Sequence, residues 1–124
     1  MIKPQELRIG NLVFDHLGRV QKVAEIRSDA YICYLSNGAK LKYKLNTTKP
    51  IPLTEEILLK FGFEKTANPR ELKYDDYSIL LLNEIRFVIC NYMENPPSVK
   101  VSTVHQLQNL FFSLTGKELT FKKD

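Results

Sequence analysis

The stretch YSILLLNEIRFVICNY, residues 77–92, constrains the fold more than any other part of the sequence. It predicts two strands joined by a two-residue turn at Asn83-Glu84, in a three-stranded antiparallel meander that begins near residues 71–74. One face then carries Leu80, Leu82, Ile85, Phe87 and Ile89, and the other carries Ile79, Leu81, Val88 and Cys90. A sheet that is apolar on both faces needs a cover on each. Helices can cover one face, and the first half of the chain or a second copy must cover the other. We favour the first half, which makes the whole chain one compact body.

The first half of the chain carries only β signals. Gly18 in DHLGR permits a hairpin loop, and Asn37-Gly38 suits a two-residue type I′ turn, because both positions of that turn need a positive φ. Four or five short strands with such turns are typical of a small SH3-like β-barrel, which we assign to residues 1–53. The prolines of NTTKPIPLTEE, residues 46–56, mark the seam.

The Asn37-Gly38 turn also predicts which side chains share a face of its hairpin. A two-residue loop pairs Tyr31 with Lys44, Cys33 with Lys42, and Leu35 with Lys40. The same register leaves the other face apolar, with Ile32, Tyr34, Leu41 and Tyr43. We therefore expect one lysine-rich face with a tyrosine on it.

After the seam, the sequence predicts an α+β unit at residues 54–124, in which two helices flank the meander as αβββα. Thr54 fits the N-cap of the first helix and Gly62 its end. Thr103 and Gln106 form a capping-box pattern, and Gly116 ends the last helix. Its apolar stripe has helical spacing: Val104, Leu107, Leu110, Phe111 and Leu114. The fold class is therefore α+β.

The positive charge of the chain lies in its first half. Residues 1–53 hold nine Lys and Arg against four Asp and Glu, whereas residues 54–124 hold nine against ten. A local excess of cations indicates an anionic partner, and it is also a common device for solubility.

Motifs for catalysis are missing. His16 and His105 have no metal-ligand spacing around them, and no Gly-rich phosphate loop occurs. Cys33 and Cys90 lie in apolar strands, so we expect reduced, inert thiols and a cytoplasmic protein. The longest apolar run, residues 79–82, is too short for a membrane span, and the N-terminus lacks the apolar segment of a secretory signal. We expect no enzyme, metal, cofactor, membrane or small-molecule substrate.

Two surface features remain as candidate binding sites. Lys40, Lys42 and Lys44 recur at every second residue, and with Tyr31 they suit a phosphate backbone and a stacked base. The alternative is a solvated edge strand, on which lysines discourage aggregation. On the last helix, His105, Gln108 and Phe112 fall together beside the stripe and suit a protein partner. The alternative is that Phe112 widens the core face.

Three blocks carry a resemblance to a family of proteins: ELRIGNLVFDHLGRVQKV, PIPLTEEILLKFGFEK and VHQLQNLFFSLTGKELTF. Together, and in this order, they resemble short uncharacterised proteins of prophages and mobile elements from gut bacteria. The resemblance implies a cytoplasmic bacterial or phage accessory protein, and it implies no activity and no site residue. The first block also resembles SH3-like modules that bind nucleic acid or protein.

The sequence thus predicts a non-enzymatic binding module. The leading hypothesis is an adaptor that contacts a protein partner or itself. The alternative is a nucleic-acid-binding protein that uses the lysine row.

Overall fold

The computed structural model describes residues 2–34, 38–75, 77–82, 85–90 and 98–121. The chain divides into two compact units, each built from two segments. Unit 1 comprises Met1–Pro52 and Thr103–Glu118, and unit 2 comprises Leu53–Ser102 and Leu119–Asp124. The first boundary lies within the expected seam. The last helix belongs to the same unit as the first half of the chain, whereas the sequence analysis assigned it to residues 54–124.

The regular elements are short, and all strand pairs are antiparallel. In chain order they are β1 (Leu12–Phe14), β2 (Val20–Lys22), β3 (Glu25–Ile26), β4 (Ala30–Tyr34), β5 (Lys40–Lys44), α1 (Glu55–Lys60), β6 (Glu64–Lys65), β7 (Glu71–Tyr74), β8 (Tyr77–Leu82), β9 (Ile85–Cys90), β10 (Ser98–Val101) and α2 (Val104–Thr115). Single turns of 3-10 helix, Pro4–Glu6 and Leu45–Thr47, precede β1 and follow β5. The α+β class is confirmed.

Unit 1 contains two sheets. One pairs β1 with β2, and the other has the order β3-β4-β5. Its core is made of side chains that are at most 6% exposed: Ile2, Leu7, Val13, Val23, Tyr31 and Leu45. The partly buried side chains of Ile26 and Tyr43 pack against this core. From α2, Val104, Leu107 and Phe111 are buried, as the apolar stripe predicts, whereas Leu114 is exposed. Among the described residues these sheets do not close into a barrel.

The register of the β4–β5 hairpin differs from the expected one by one residue. Tyr31 pairs with Tyr43, Ile32 with Lys42, and Tyr34 with Lys40. The expected pairing of Tyr31 with Lys44 is therefore wrong. Gly38 has a φ of +87°, a left-handed conformation that glycine adopts readily. Residues 35–37, which the expected turn involves, lie outside the described residues.

Unit 2 holds a five-stranded sheet in the order β10-β9-β8-β7-β6. The expected meander of β7, β8 and β9 is confirmed, and Leu82 pairs with Ile85, as a two-residue turn requires. On one face of this hairpin Ile79 and Val88 are buried. On the other face Ser78 is buried and Leu80 is half-buried. Where side chains are described, both faces of the hairpin therefore carry buried or half-buried residues.

The helix ends are those the sequence predicts. Thr54 caps α1 by accepting a hydrogen bond from the Ile57 amide, and the Phe63 amide donates back to the Leu58 carbonyl. Thr103 caps α2 by accepting from the Gln106 amide, and Gly116 ends it with a φ of +72°. Both helices therefore begin and end at the residues that local capping chemistry selects.

The segment at residues 51–53, where the chain leaves unit 1, pairs with the segment at residues 102–104, where it returns. The Val104 amide donates to the Ile51 carbonyl at 2.8 Å, and the Leu53 amide donates to the Ser102 carbonyl at 3.4 Å. An isolated β-bridge joins Pro52 to Thr103 between these two hydrogen bonds. The two passages therefore run antiparallel and side by side.

Candidate functional site

The lysine row is exposed on one face of the β3–β4–β5 sheet, as predicted. Lys40, Lys42 and Lys44 alternate along β5, which is an edge strand, and all three side chains are exposed. Residues opposite one another in an antiparallel pair share a face, so Ala30 and Ile32 lie between these lysines and β3. We call this side of the sheet the basic face.

One carboxylate lies within the basic face. Glu25 Oε2 is 3.3 Å from Lys40 Nζ, and Glu25 Oε1 is 3.3 Å from Arg27 Nη2. Arg27 therefore joins the three lysines, which gives four cations around one anion. Lys42 and Lys44 make no ion pair with any residue in the described part of the chain. The face keeps a clear positive excess.

Tyr31 is not part of the basic face, which corrects the expectation that it stacks a base there. The one-residue change of register moves it to the opposite side of the sheet, where it is 0% exposed and stacks on Tyr43 at 5.4 Å between ring centroids. Burial raises the pKa of its hydroxyl to about 12. Tyr31 is a core residue.

The three helix residues expected to form a partner-binding patch do not share the surface. His105 is 2% exposed and Gln108 is 1% exposed, whereas Phe112 is 39% exposed. The expectation of a combined patch is therefore wrong. Helical spacing correctly predicts that the three side chains point to one side of α2, but that side lies partly against β1 and the Pro4–Glu6 turn.

Gln108 holds α2 to the backbone at the start of β1. Its Oε1 accepts a hydrogen bond from the Leu12 amide at 2.8 Å, and its Nε2 donates to the Gly10 carbonyl at 3.3 Å. Asn109 extends the contact by accepting from Asn11 Nδ2 at 2.9 Å. Leaving such buried backbone groups without a partner costs about 1–3 kcal/mol each. Gln108 is therefore a structural residue.

His105 is held between two oxygens. The Thr103 hydroxyl lies 3.3 Å from its Nδ1, and Glu6 Oε2 lies 3.5 Å from its Nε2. Burial lowers the pKa of the imidazole, and Glu6 opposes that shift. The order hydroxyl, imidazole, carboxylate is that of a catalytic triad, but the Thr103 oxygen caps α2 and the ring is buried. We assign this group a structural role.

Phe112 lies at the surface beneath an arginine. The Arg8 guanidinium carbon is 3.8 Å from the centre of its ring, and Arg8 forms an ion pair with Glu118. Such a cation–π contact contributes about 0.5–1 kcal/mol at an exposed site. The ring is therefore partly covered by Arg8 of its own chain and partly open to solvent.

The first hairpin loop contains a buried carboxylate that is not among the predicted site residues. Asp15 is 1% exposed and accepts hydrogen bonds from the Leu17 and Arg19 amides, the Arg19 side chain and Gln21. Burial alone would raise its pKa, but these donors together hold the pKa well below its usual range. An aspartate that opens a hairpin loop, three residues before a glycine, is the signal that could have revealed it.

Cys33 is buried and free, as expected, and burial raises its thiol pKa. Its Sγ donates to Gln21 Oε1 at 3.3 Å, so the thiol belongs to the Asp15–Gln21 network. The side chain of Cys90 lies outside the described residues. No cluster of three or more His, Cys, Asp or Glu suited to a metal ion occurs within the described ranges.

Neither helix in the described part of the chain has the length and apolar character that crossing a bilayer requires. No protein-family model matches the chain, and neither the curated proteins nor the solved structures contain a match to it.

Proposed function

We propose that the chain is a non-enzymatic binding module that holds the phosphate backbone of a nucleic acid on the basic face. The observation that carries this proposal is the exposure of Lys40, Lys42 and Lys44 on a single face of one sheet. The charge of the whole chain supports it: unit 1 has ten Lys and Arg against five Asp and Glu, whereas unit 2 has eight against nine. An anionic polymer is therefore attracted to unit 1.

The spacing of the cations suits a phosphate backbone. Alternate residues of a strand are about 7 Å apart, so Lys40 and Lys44 are separated by roughly 13 Å. A strand of duplex DNA carries one charge per about 3.4 Å of its axis, so the row can face about four phosphates. Flexible lysine side chains can adjust to a single strand in the same way.

The competing explanation is that the lysines only protect the exposed edge of β5. The two explanations differ in salt dependence. Each phosphate that a protein neutralises adds about 0.9 to the slope of log K against log salt. The basic face carries four cations and one anion, so its net charge of about three predicts a loss of roughly 40-fold between about 50 mM and 200 mM salt. Edge protection predicts no measurable binding.

The test compares two variants of equal charge. Lys42→Gln with Lys44→Gln removes two cations from the basic face. The control combines Lys49→Gln with Lys117→Gln, two exposed lysines of unit 1 outside β5. Binding to a labelled oligonucleotide is measured by fluorescence anisotropy at several salt concentrations. We expect the first variant to bind more weakly with a slope lower by about 2, and the control to keep most of that slope.

Equal slopes for the two variants would show that the basic face is not the contact. Absence of salt-dependent binding by the native chain would refute the proposed function altogether.

A protein contact is the second candidate, favoured by the exposed ring of Phe112 beside Arg8. It would appear as a partner or dimer that persists after nuclease treatment and after the change at Lys42 and Lys44. An SH3-like description of unit 1 and a role as a phage or mobile-element accessory protein are compatible with both candidates.

A further inference from the structure

An open cavity of about 400 Å³ adjoins the basic face, and Lys44 borders both. This volume is within the range of small-ligand sites, which is about 300–1,000 Å³. Its apolar lining is Ile2, Pro4 and Leu45, and its polar lining is Lys3, Ser28, Asp29, Lys44 and Asn46. All of these residues belong to unit 1.

The apolar part of the lining is fixed by the core. Ile2 and Leu45 are each 3% exposed and belong to the main cluster of unit 1. The Leu45 amide donates to the Asp29 carbonyl at 2.9 Å, which ties the two sides of the cavity together through the backbone. The shape of the cavity is therefore set without the side chain of Asp29.

The polar side chains of the lining are unused. Within the described residues, neither the carboxylate of Asp29 nor the side chains of Lys3 and Lys44 have a hydrogen-bond or ion-pair partner. Asp29 thus offers an acceptor in a cavity that Lys3 and Lys44 also line, next to an apolar surface.

We propose that this cavity takes one unstacked nucleobase that carries an amino group, from a single strand whose phosphates lie on the basic face. The inference rests on the proposed function. A base can place its flat ring against Pro4 and the small exposed parts of Ile2 and Leu45, while Lys44 remains near the phosphates. Single-stranded recognition commonly uses bases turned out of the stack in this way.

Asp29 gives the cavity its selectivity. A carboxylate accepts a hydrogen bond from the N4 amino group of cytosine. Thymine presents the O4 carbonyl at the same position, and two acceptors repel one another. Cytosine and thymine are similar in size and in stacking surface, so a preference between them isolates this contact.

The experiment measures the affinity of the full chain for labelled dodecamers of deoxycytidine and of deoxythymidine, at low salt and neutral pH. We expect the cytidine strand to bind about three- to tenfold more tightly. Asp29→Ala should abolish the preference, and Asp29→Asn should do the same because an amide can donate to O4. Both should keep the salt slope. Glu64→Ala, which removes an exposed carboxylate of unit 2, is the control and should keep the preference.

Equal binding of both strands by the native chain, or a preference that survives both changes at Asp29, would overturn this inference while leaving the proposed function intact. Failure of both strands to bind with salt dependence would remove the proposed function and the inference with it. Thermal unfolding of each variant confirms that it is folded before binding is compared.

Discussion

Gln108 illustrates what residue spacing can and cannot reveal. The sequence pattern places it beside the apolar stripe of α2, and there it was interpreted as part of a polar surface. In the structure the same position meets the backbone at the start of β1, and its amide satisfies both a donor and an acceptor. Spacing gives the direction of a side chain on a helix, but only the tertiary fold decides whether that direction ends in water.

His105 gives a prediction about pH at the scale of one residue. Burial lowers its folded pKa, while the unfolded imidazole keeps its ordinary value of about 6.5. The neutral form is therefore favoured by folding. Its contribution is complete above about pH 6.5 and is lost progressively as the pH falls from there toward the lower folded pKa. We expect the urea midpoint of unfolding to decrease as the pH is lowered from about 7 to about 5.

The same measurement on two variants assigns this loss. His105→Gln should flatten the profile in that interval, because the titrating ring is gone. His16→Gln changes an exposed histidine of the first hairpin loop and should leave the profile as it is. A native midpoint that does not change over this interval would contradict the prediction.

At the scale of elements, the capping residues and the β8–β9 register could be predicted because they depend on local chemistry. Thr54, Thr103 and Gly116 act on neighbouring backbone groups. The β4–β5 register could not, because Asn37-Gly38 favours a two-residue loop while the core needs Tyr31 and Tyr43 on one face. The contact between the buried Tyr31 and the half-buried Tyr43 outweighs the turn preference. The prediction of the lysine row does not depend on this register, because alternate residues of β5 share a face whichever residues of β4 they pair with.

Glu25 gives a prediction at this scale, because it is the anion within the basic face. Glu25→Gln removes the carboxylate that forms ion pairs with Arg27 and Lys40, so the net positive charge of the basic face rises by one. We expect binding of an oligonucleotide at low salt to become about two- to fivefold tighter, with a steeper salt slope, as measured by anisotropy. Stability should change little, since exposed ion pairs contribute about 0–1 kcal/mol.

The control for this change is Glu118→Gln. Glu118 is also a carboxylate of unit 1 in an ion pair, with Arg8, but it follows α2 and lies outside the β3–β5 sheet. An equal gain from both variants would indicate a general effect of net charge rather than a contact at the basic face.

At the scale of the whole molecule, each unit is discontinuous in sequence, and this organisation could not be predicted from the chain alone. The seam near Pro52 is visible in the sequence, but the return of α2 to unit 1 depends on hydrogen bonds between residues almost a hundred positions apart. Nothing in the amphipathic pattern of α2 specifies which sheet its apolar side covers.

This organisation predicts how fragments behave. Residues 1–53 lack α2, so the Leu12 amide loses its partner and the apolar residues that α2 buries are missing. We expect this fragment to be unfolded by circular dichroism and by amide dispersion in NMR spectra. A chain in which a short Gly-Ser linker replaces residues 54–101 keeps both segments of unit 1 and should fold. A folded 1–53 fragment, or an unfolded linked chain, would contradict this division.

The hydrogen bond between Leu53 and Ser102 has a wider consequence. The segment between these two residues begins and ends at neighbouring positions. Such a segment can lengthen, shorten or be replaced by an unrelated one, because the distance between its two ends stays the same. Unit 1, with its basic face, can thus persist while the sequence between residues 53 and 102 diverges.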